Sequence, residues 1–246
     1  MTKAKYKRIL LKLSGEALAG NHDQTIDQSV LEFFAKEILS IHELGVQVAV
    51  VVGGGNIWRG GQKAIALGMD PAQSHYMGML ATIINALALQ DALERHGMHT
   101  RTMTAIKMDE VTEPYLRRRA TRHLEKQRVI ILAAGTGNPY FSTDSASALR
   151  AAEVHAEVIL MAKNGVDGVY TADPRHHADA TRYDHLTYMD ALNQGLAVMD
   201  STALTFCMDN HIPIVVFNPN QSGTIRRIVL GEHVGTLVSN ERDAHG

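Results

Sequence analysis

Four segments of the chain place glycine beside charged or hydroxyl side chains at spacings suited to holding an anion. They are Lys12-Leu13-Ser14-Gly15-Glu16; Gly53-Gly54-Gly55-Asn56 with Arg59 and Gly60 just beyond; Gly135-Thr136-Gly137-Asn138-Pro139 running on to Ser142-Thr143-Asp144; and Lys163-Asn164-Gly165-Val166-Asp167-Gly168-Val169-Tyr170 with Asp173-Pro174 after it. Consecutive glycines let backbone N–H groups approach a phosphate and turn toward it with no Cβ in the way. A segment that leads into a helix adds the positive end of the helix dipole. Lys12 lies inside an apolar run, where an unpaired ammonium is costly, so it is expected to face a bound anion. Lys12 and Arg59, with Lys163 as a third candidate, could neutralise charge on a phosphoryl group in transfer.

Each segment follows a short β-rich apolar run, and the elements that must position them alternate along the chain. The pattern predicts strands over Arg8–Leu13, Gln47–Val52, Thr100–Thr104, Val129–Ala133, Glu157–Met161 and Pro213–Phe217. It predicts helices over Ser29–Leu44, His75–His96, Glu113–Lys126, Ser145–Ala152, Met189–Gln194 and Ser201–Asn210, with Gly45 and Gly97 closing two of them. Val48–Val52 and Val129–Ala133 are apolar on both faces, as strands in the middle of a covered sheet are. The fold class is therefore α/β, with a largely parallel sheet covered by helices, and ligands in such sheets bind beyond the carboxyl ends of the strands.

Any one segment has an ordinary alternative. Three glycines after a strand serve equally as a packing turn, Lys12 could snorkel to solvent, and Asp167-Gly168 and Asp173-Pro174 suit turns. Four coincident strand ends carrying both glycine and charge are harder to explain by folding alone. The absences narrow the chemistry. No Gly-x-x-x-x-Gly-Lys-Ser/Thr occurs, no Gly-x-Gly-x-x-Gly opens a helix with an acidic partner about 20 residues on, and no Gly-x-Ser-x-Gly is present. His176-His177 lacks companions at metal-ligand spacing, so no residue is assigned to a metal. At 246 residues the chain reads as one domain over 1–246 with a fraying tail from about 240. The single Cys207 suits a reducing cytoplasm, no apolar run reaches the roughly 18 residues of a membrane span, and a net charge of -2 argues against a nucleic-acid-binding face.

These residues resemble a known family. Lys12-Leu-Ser-Gly-Glu-Ala-Leu, Val51-Val-Gly-Gly-Gly-Asn-Ile-Trp-Arg-Gly60, Met77-Gly-Met-Leu-Ala-Thr82, Gly135-Thr-Gly-Asn-Pro-Tyr-Phe-Ser-Thr-Asp144 and Val166-Asp-Gly-Val-Tyr-Thr-Ala-Asp-Pro174 are similar to the motifs of bacterial UMP kinases. The likeness continues through Val198-Met-Asp200, Val216-Phe-Asn218 and Gly231-Glu-His-Val-Gly-Thr236, and Met161-Ala-Lys-Asn-Gly-Val-Asp resembles the Gram-positive members. The resemblance implies the amino-acid-kinase fold, a three-layer αβα sandwich with a mostly parallel central sheet. It implies transfer of the γ-phosphoryl group of ATP to UMP with Mg²⁺, in pyrimidine nucleotide synthesis toward UDP and CTP. It also implies a homohexamer activated by GTP and inhibited by UTP. Carried over by position, it puts Lys12, Leu13, Ser14, Gly15, Gly55, Arg59, Asn164, Tyr170 and Asp173 along ATP. Gly54, His75, Thr136, Gly137, Asn138, Pro139, Tyr140, Phe141, Ser142 and Thr143 fall along UMP. Lys12, Arg59 and Asp144 form the catalytic set, with Asp144 orienting the basic groups or the metal, or capping the helix that follows it.

Two departures from the family pattern stand out. Its members usually carry an aspartate at the position of His75, against the UMP sugar, and imidazole bonds a ribose hydroxyl differently. The segment Gly20–Thr25 differs from the family's loop, which weakens the implied GTP activation. Arg117-Arg118-Arg119 and Arg122 read either as a solvated or intersubunit face or as an effector site. Two other readings of the whole chain remain: a kinase of carbamate, acetylglutamate or aspartate, and an oxoanion-storage or nucleotide-sensing protein on the same scaffold.

Overall fold

The computed structural model describes residues 3–20, 24–59, 67–177 and 179–240. Within them the chain runs β1 (Arg8–Leu13), α1 (Gly15–Ala19), α2 (Gln28–His42), β2 (Gln47–Val52), α3 (Pro71–Arg95), β3 (Thr100–Thr104), β4 (Glu113–Pro114), α4 (Arg117–Glu125), β5 (Val129–Ala133) and α5 (Thr143–Val154). It continues through β6 (Val158–Ala162), β7 (Val169–Tyr170), β8 (Arg182–Tyr183), β9 (His185–Thr187), α6 (Tyr188–Asn193), α7 (Ser201–Asp209), β10 (Ile214–Phe217), α8 (Thr224–Val229) and β11 (Thr236–Ser239).

Nine strands form one sheet in the order β4-β3-β5-β2-β1-β6-β10-β11-β9, and β7 and β8 form a separate antiparallel hairpin. Every pairing in the large sheet is parallel except β10 with β11. The side chains alternate as a sheet covered on both faces requires. Ile9, Leu11 and Leu13 of β1 join one core cluster with Val48, Val50 and Val52 of β2, while Leu10, Ala49 and Val51 join the other. The first cluster is covered by α1, α2, α3 and α8, through residues such as Leu18, Phe34, Leu89 and Ile225. The second is covered by α4 to α7, through Leu124, Ala151, Tyr188 and Leu204. The three layers are helix, sheet and helix.

The order of strands matters for function. From β1 the chain first adds strands on one side, β2, β5 and β3, and then returns to the other side with β6 and β10. The reversal opens a crevice at the carboxyl ends of β1 and β6, where open α/β sheets bind their ligands. Lys12 is the penultimate residue of one of these strands and Lys163 directly follows the other.

Local chemistry explains most element ends. Asp27 caps α2 by accepting from the Ser29 N–H at 2.8 Å, and Asp70 caps α3 by accepting from Gln73 with Pro71 in the first turn. Gly45 and Gly97 follow α2 and α3 at φ +82° and +77°. Buried Glu37 of α2 accepts from the Gly223 N–H at 2.7 Å and from the Ser222 hydroxyl, tying α2 to the start of α8. The predicted helix over Glu113–Lys126 is corrected: Glu113–Pro114 pair with β3 and the helix begins at Arg117. The expectation for the tail, like the departure at Asn21, His22 and Asp23, falls outside the described residues, although Asn240 itself donates to the Met208 carbonyl. On α4 the arginines make local bonds: Arg117 to the Glu153 carbonyl, Arg119 to Glu113 and Arg122 to Glu125.

Cys207 of α7 is fully buried, and that burial, together with the nearby charges of Asp144 and Asp200, pushes its thiol up to about 12. The raised value keeps the thiol protonated over the working pH range, and only the thiolate is nucleophilic. Iodoacetamide at about pH 8 is therefore expected to leave the folded protein unmodified by intact mass and to label it once in denaturant. Rapid labelling of the native protein would contradict this account of α7.

Candidate active site

The ends of β1 and β2 lie so close that only glycine fits. A Cβ on Gly15 would stand 2.5 Å from the backbone nitrogen of Gly55, and one on Gly54 would stand 2.8 Å from the Gly78 carbonyl oxygen on α3. Gly53–Gly55 all have negative φ, so glycine is required here by close approach and not by a left-handed backbone. The packing-turn reading of this segment is the one the structure shows: β1, β2 and α3 pack closely here, and Gly54 and Gly55 come to line a cavity.

Asn85, fully buried at the middle of α3, holds this joint from beneath. Its amide donates to the Gly53 carbonyl at 2.7 Å and to the Asn56 side-chain oxygen at 2.7 Å, while Asn56 donates to the Thr25 carbonyl. Thr82, one turn earlier, accepts from the Ala134 N–H at 2.8 Å and so fixes the start of the loop after β5. That loop is bent sharply, with Ala134 at φ +61° and Tyr140 at φ +70°, a conformation costly for an aromatic residue. Such strain persists only where the surroundings impose it, and it clusters at functional sites.

Two cavities flank the N-terminus of α5. The first, about 320 Å³, is lined by Gly54, Gly55, Trp58, His75, Thr136, Asn138, Tyr140, Phe141, Ser142 and Thr143 among others. The His75 ring packs against Tyr140, with centroids 5.2 Å apart. The second, about 370 Å³, lies in the crevice between β1 and β6 and is lined by Lys12, Ser14, Asp144, Lys163, Asn164 and the segment Ala197–Met199. Ser142 and Thr143 thus face one cavity and Asp144 the other.

The central polar contact is an ion pair. Lys12, only 9% exposed, places its ammonium 2.9 Å from the Asp144 carboxylate. It does not snorkel. Asp144 is also not the helix cap, which corrects one reading of the sequence. Ser142 is the cap: its hydroxyl accepts from the Asp144 and Ser145 N–H groups and donates to the Asp200 carboxylate. Asp200 in turn caps α7, accepting from the Ala203 N–H at 2.9 Å, and its own N–H points at Asp144 at 3.4 Å. Lys163 is half-buried and donates to the Ala197 carbonyl. Its burial lowers the pKa below that of an ordinary lysine, with Asp144 opposing the shift and Lys12 adding to it.

The sequence-derived site residues divide as follows. Lys12, Ser14, Asp144 and Asn164 meet in the crevice, and Gly54, His75, Thr136, Asn138 and Tyr140–Thr143 meet in the first cavity. Gly55, expected along the donor nucleotide, lines the first cavity instead. Leu13 is buried in the core and Gly15 lies beneath Gly55. Arg59 stands exposed at the rim, held by Glu16 at 3.2 Å and by the Gly55 carbonyl. Gly137 and Pro139 shape the bent loop without lining either cavity. Tyr170 and Asp173 lie on and beside the β7–β8 hairpin. Tyr170 bonds Asp167, and Asp173 accepts from the Arg175 side chain and N–H, which holds its carboxyl well below the usual range. Asn85, Thr82 and Asp200 were missed as positioning residues. A lone Asn amid the apolar residues of a long helix was the available signal for the first. Among the described residues no group of three or more His, Cys, Asp or Glu is disposed to hold a metal.

Comparison with known proteins gives a consistent picture. The profile of the amino acid kinase family matches residues 7–218. The chain is 59% identical over 241 residues to a uridylate kinase of Limosilactobacillus reuteri, covering 98% of this chain and all of that one. It is 57% identical over 241 residues to a uridylate kinase of Pediococcus pentosaceus, with the same coverage. The crystal structure of UMP kinase from Bacillus anthracis is similar at a TM-score of 0.94 and 44% identity, covering 96% of this chain and 97% of that one. Uridylate kinase from Archaeoglobus fulgidus matches at a TM-score of 0.72 and 31% identity, over 94% and 99% of the two chains.

Replacing Asn85 by Leu leaves the Gly53 carbonyl and the Asn56 amide without their buried partner. A loss of about 2–3 kcal/mol is expected, since each orphaned buried polar group costs about 1–3 kcal/mol. Urea unfolding of Asn85→Leu measures it, and an unchanged midpoint would show that the glycine joint does not need this anchor.

Proposed function

The chain belongs to the amino acid kinase family, and we propose that it catalyses reversible transfer of the γ-phosphoryl group of ATP to UMP, giving UDP and ADP. The observation that carries this reading is the pair of cavities meeting at the N-terminus of α5, one lined by Lys12 and Lys163 and one lined by aromatic rings and hydroxyls. The crevice with Lys12, Ser14 and Asn164 suits a polyphosphate donor. The other cavity offers the rings of Trp58, His75, Tyr140 and Phe141 to a nucleobase, and the hydroxyls of Thr136, Ser142 and Thr143 to sugar and phosphate. A small carboxylate acceptor such as carbamate, acetylglutamate or aspartate would leave the rings of Trp58, Tyr140 and Phe141 without a planar group to pack on. The lining supports a nucleotide over carbamate, acetylglutamate or aspartate.

The chemistry needs positioning more than acid–base help. A phosphate oxygen of UMP attacks the γ-phosphorus, a new P–O bond forms, and the bond to the bridging oxygen breaks with its electron pair leaving on ADP. UMP dianion and ATP tetraanion become two trianions, so no proton has to move. Lys12 stabilises charge on the group in transfer, Asp144 aims the Lys12 ammonium, and the start of α5 directs its backbone dipole at the same place. Arg59 reaches the site from the rim, once free of Glu16.

Mg²⁺ fits this arrangement as a metal that arrives with ATP. Among the described residues the crevice offers it the carboxylate of Asp144 and no acidic cluster, which is the usual sparse protein share of a Mg²⁺–nucleotide site. Bound there, the ion would neutralise charge on the phosphate oxygens. The proposal extends to the whole chain acting as one domain, supported by the continuous sheet, and to cytoplasmic supply of pyrimidine nucleotides. It includes a homohexamer regulated by GTP and UTP. Self-association is supported by an exposed apolar stripe on α3, where Tyr76, Met77, Leu80 and Ile84 are 41%, 37%, 46% and 50% exposed.

UDP formation from UMP and Mg-ATP, with CMP and dUMP as alternative acceptors, tests the reading. UMP is expected to react fastest and CMP poorly. Lys12→Ala should lower kcat by at least about 10²–10³-fold, the range for removing one preorganised charge-stabilising group. Normal turnover in that variant would sink the mechanism. His75 presents an imidazole to the acceptor, so kcat/KM for dUMP is expected within about 10²-fold of that for UMP, short of the 10⁴–10⁵ of sites built around a substrate hydroxyl. Sharper rejection of dUMP would show that the sugar is gripped elsewhere.

A further inference from the structure

We propose that Lys163 is a further catalytic residue, whose ammonium contacts the phosphate chain of the donor nucleotide beside Lys12. The proposal rests on the phosphoryl-transfer reading above and assigns a role to a side chain which that mechanism does not use.

Backbone placement comes first. Lys163 directly follows β6, and its N–H donates to the Phe217 carbonyl at 2.9 Å, so its Cα is pinned at the strand end. Lys12 pairs in register with Met161 of β6. Successive side chains alternate across a sheet, so Met161 and Lys163 share a face. Met161 belongs to the core cluster beneath α5, and both lysines line the crevice with Asp144. Two ammonium groups and one carboxylate therefore face a single cavity, which leaves it net positive before any ligand binds.

The bonding of the ammonium points the same way. Lys12 has the Asp144 carboxylate at 2.9 Å. The hydrogen-bond partner of Lys163 among the described residues is the neutral carbonyl of Ala197. An ammonium carries three donors, and one carbonyl satisfies one of them. A half-buried cation with donors to spare, close to a second cation, is disfavoured in the empty cleft, as the downward shift of its pKa records. A polyphosphate supplies the missing acceptors and the missing negative charge together. As the bond from the γ-phosphorus to the bridging oxygen breaks, charge moves onto the departing diphosphate, and a fixed ammonium there favours the transition state over the ground state. Lys163 stays protonated throughout; it gives up no proton and forms no covalent bond.

Lys163 could instead serve only to tether the segment Ala197–Met199. The test separates the two roles by steady-state kinetics of Lys163→Met and Lys163→Arg beside the wild type, with UMP affinity and thermal midpoint measured on each. The expected result for Lys163→Met is a fall in kcat of about 10²-fold or more with the KM for UMP changed less than about threefold. Its thermal midpoint should move by less than about 4 °C. Lys163→Arg, which keeps the charge, should retain kcat to within about tenfold of the wild type. A kcat for Lys163→Met within about threefold of wild type would overturn the assignment. So would a loss that comes with an equal loss of UMP affinity or a large fall in thermal midpoint, the mark of a tether. Failure of the wild type itself to form UDP would overturn the UMP kinase reading instead. In that event ATP binding by wild type and Lys163→Met, compared by calorimetry, decides on Lys163: unchanged affinity refutes the contact and weakened affinity supports it.

Discussion

An ammonium buried inside the central sheet cannot stand alone, and much of the site follows from how Lys12 is answered. Breaking such a pair by removing one partner typically costs about 3–5 kcal/mol, because the remaining charge is left without water or counter-charge. Asp144 must therefore lie at the carboxyl end of β1, and it can do so only if the first turn of α5 is set over that strand. Ser142 caps that turn and donates to Asp200, which caps α7 and sends its own N–H back toward Asp144. One ion pair thus fixes the N-termini of two helices from different parts of the chain. The start of α5 therefore borders the crevice through Asp144, and the segment leading into α7 lines it through Ala197–Met199.

The glycine joint is the second constraint, and it works by exclusion. Two loops and α3 approach to distances at which any Cβ on Gly15 or Gly54 would overlap backbone atoms. Close approach brings backbone donors to the cavity wall, but it also demands that buried carbonyls be satisfied, and Asn85 and Asn56 do this with a reciprocal pair of amides. Thr82 performs the same service for the bent loop after β5. Helix α3 is thereby more than a cover for the sheet. Its buried face carries the polar anchors of both strand ends, and its exposed face carries the apolar stripe.

How much of this was legible in the sequence depended on where the determining interactions lie. Strands β1, β2, β3 and β5 were read to the residue: β1, β2 and β5 are dense apolar runs buried on both faces, and β3 is a threonine-rich stretch of high β-propensity. The ends of β6 and β10 moved by one residue. The short strands β4, β7, β8, β9 and β11 were missed, since two to four residues carry too little periodicity and exist through their neighbours in the sheet. Glu113–Pro114 was read as helix because nothing local reports its pairing with β3. The four glycine-bearing strand ends were found from sequence as a group. The resemblance divided them between donor and acceptor, and the linings of the two cavities separate Lys12, Ser14 and Asn164 from Gly54, His75 and Thr136 in the same way, with Gly55 moved by the packing of α3. Ser142 as the true cap of α5 illustrates the limit: both Ser142 and Asp144 are good capping residues, and only the demand of Lys12 decides between them.

The distribution of charge in the assembled site suggests why it is built from two cavities and not one. Both substrates of a phosphoryl transfer are polyanions, and their mutual repulsion has to be screened without trapping the products. Among the described residues that line the two cavities, the lysines are Lys12 and Lys163 on the β1–β6 side, with Asp144 offsetting part of their charge. On the proposed reading the acceptor side is the cavity walled by rings, hydroxyls and strained backbone, so it selects shape, with Arg59 held at its rim by Glu16. Cations clustered around the acceptor would bind the substrate and the product more tightly alike, which raises affinity without lowering the barrier. Charge placed on the donor side, at the start of α5 where the two cavities meet, acts on the group that moves between them.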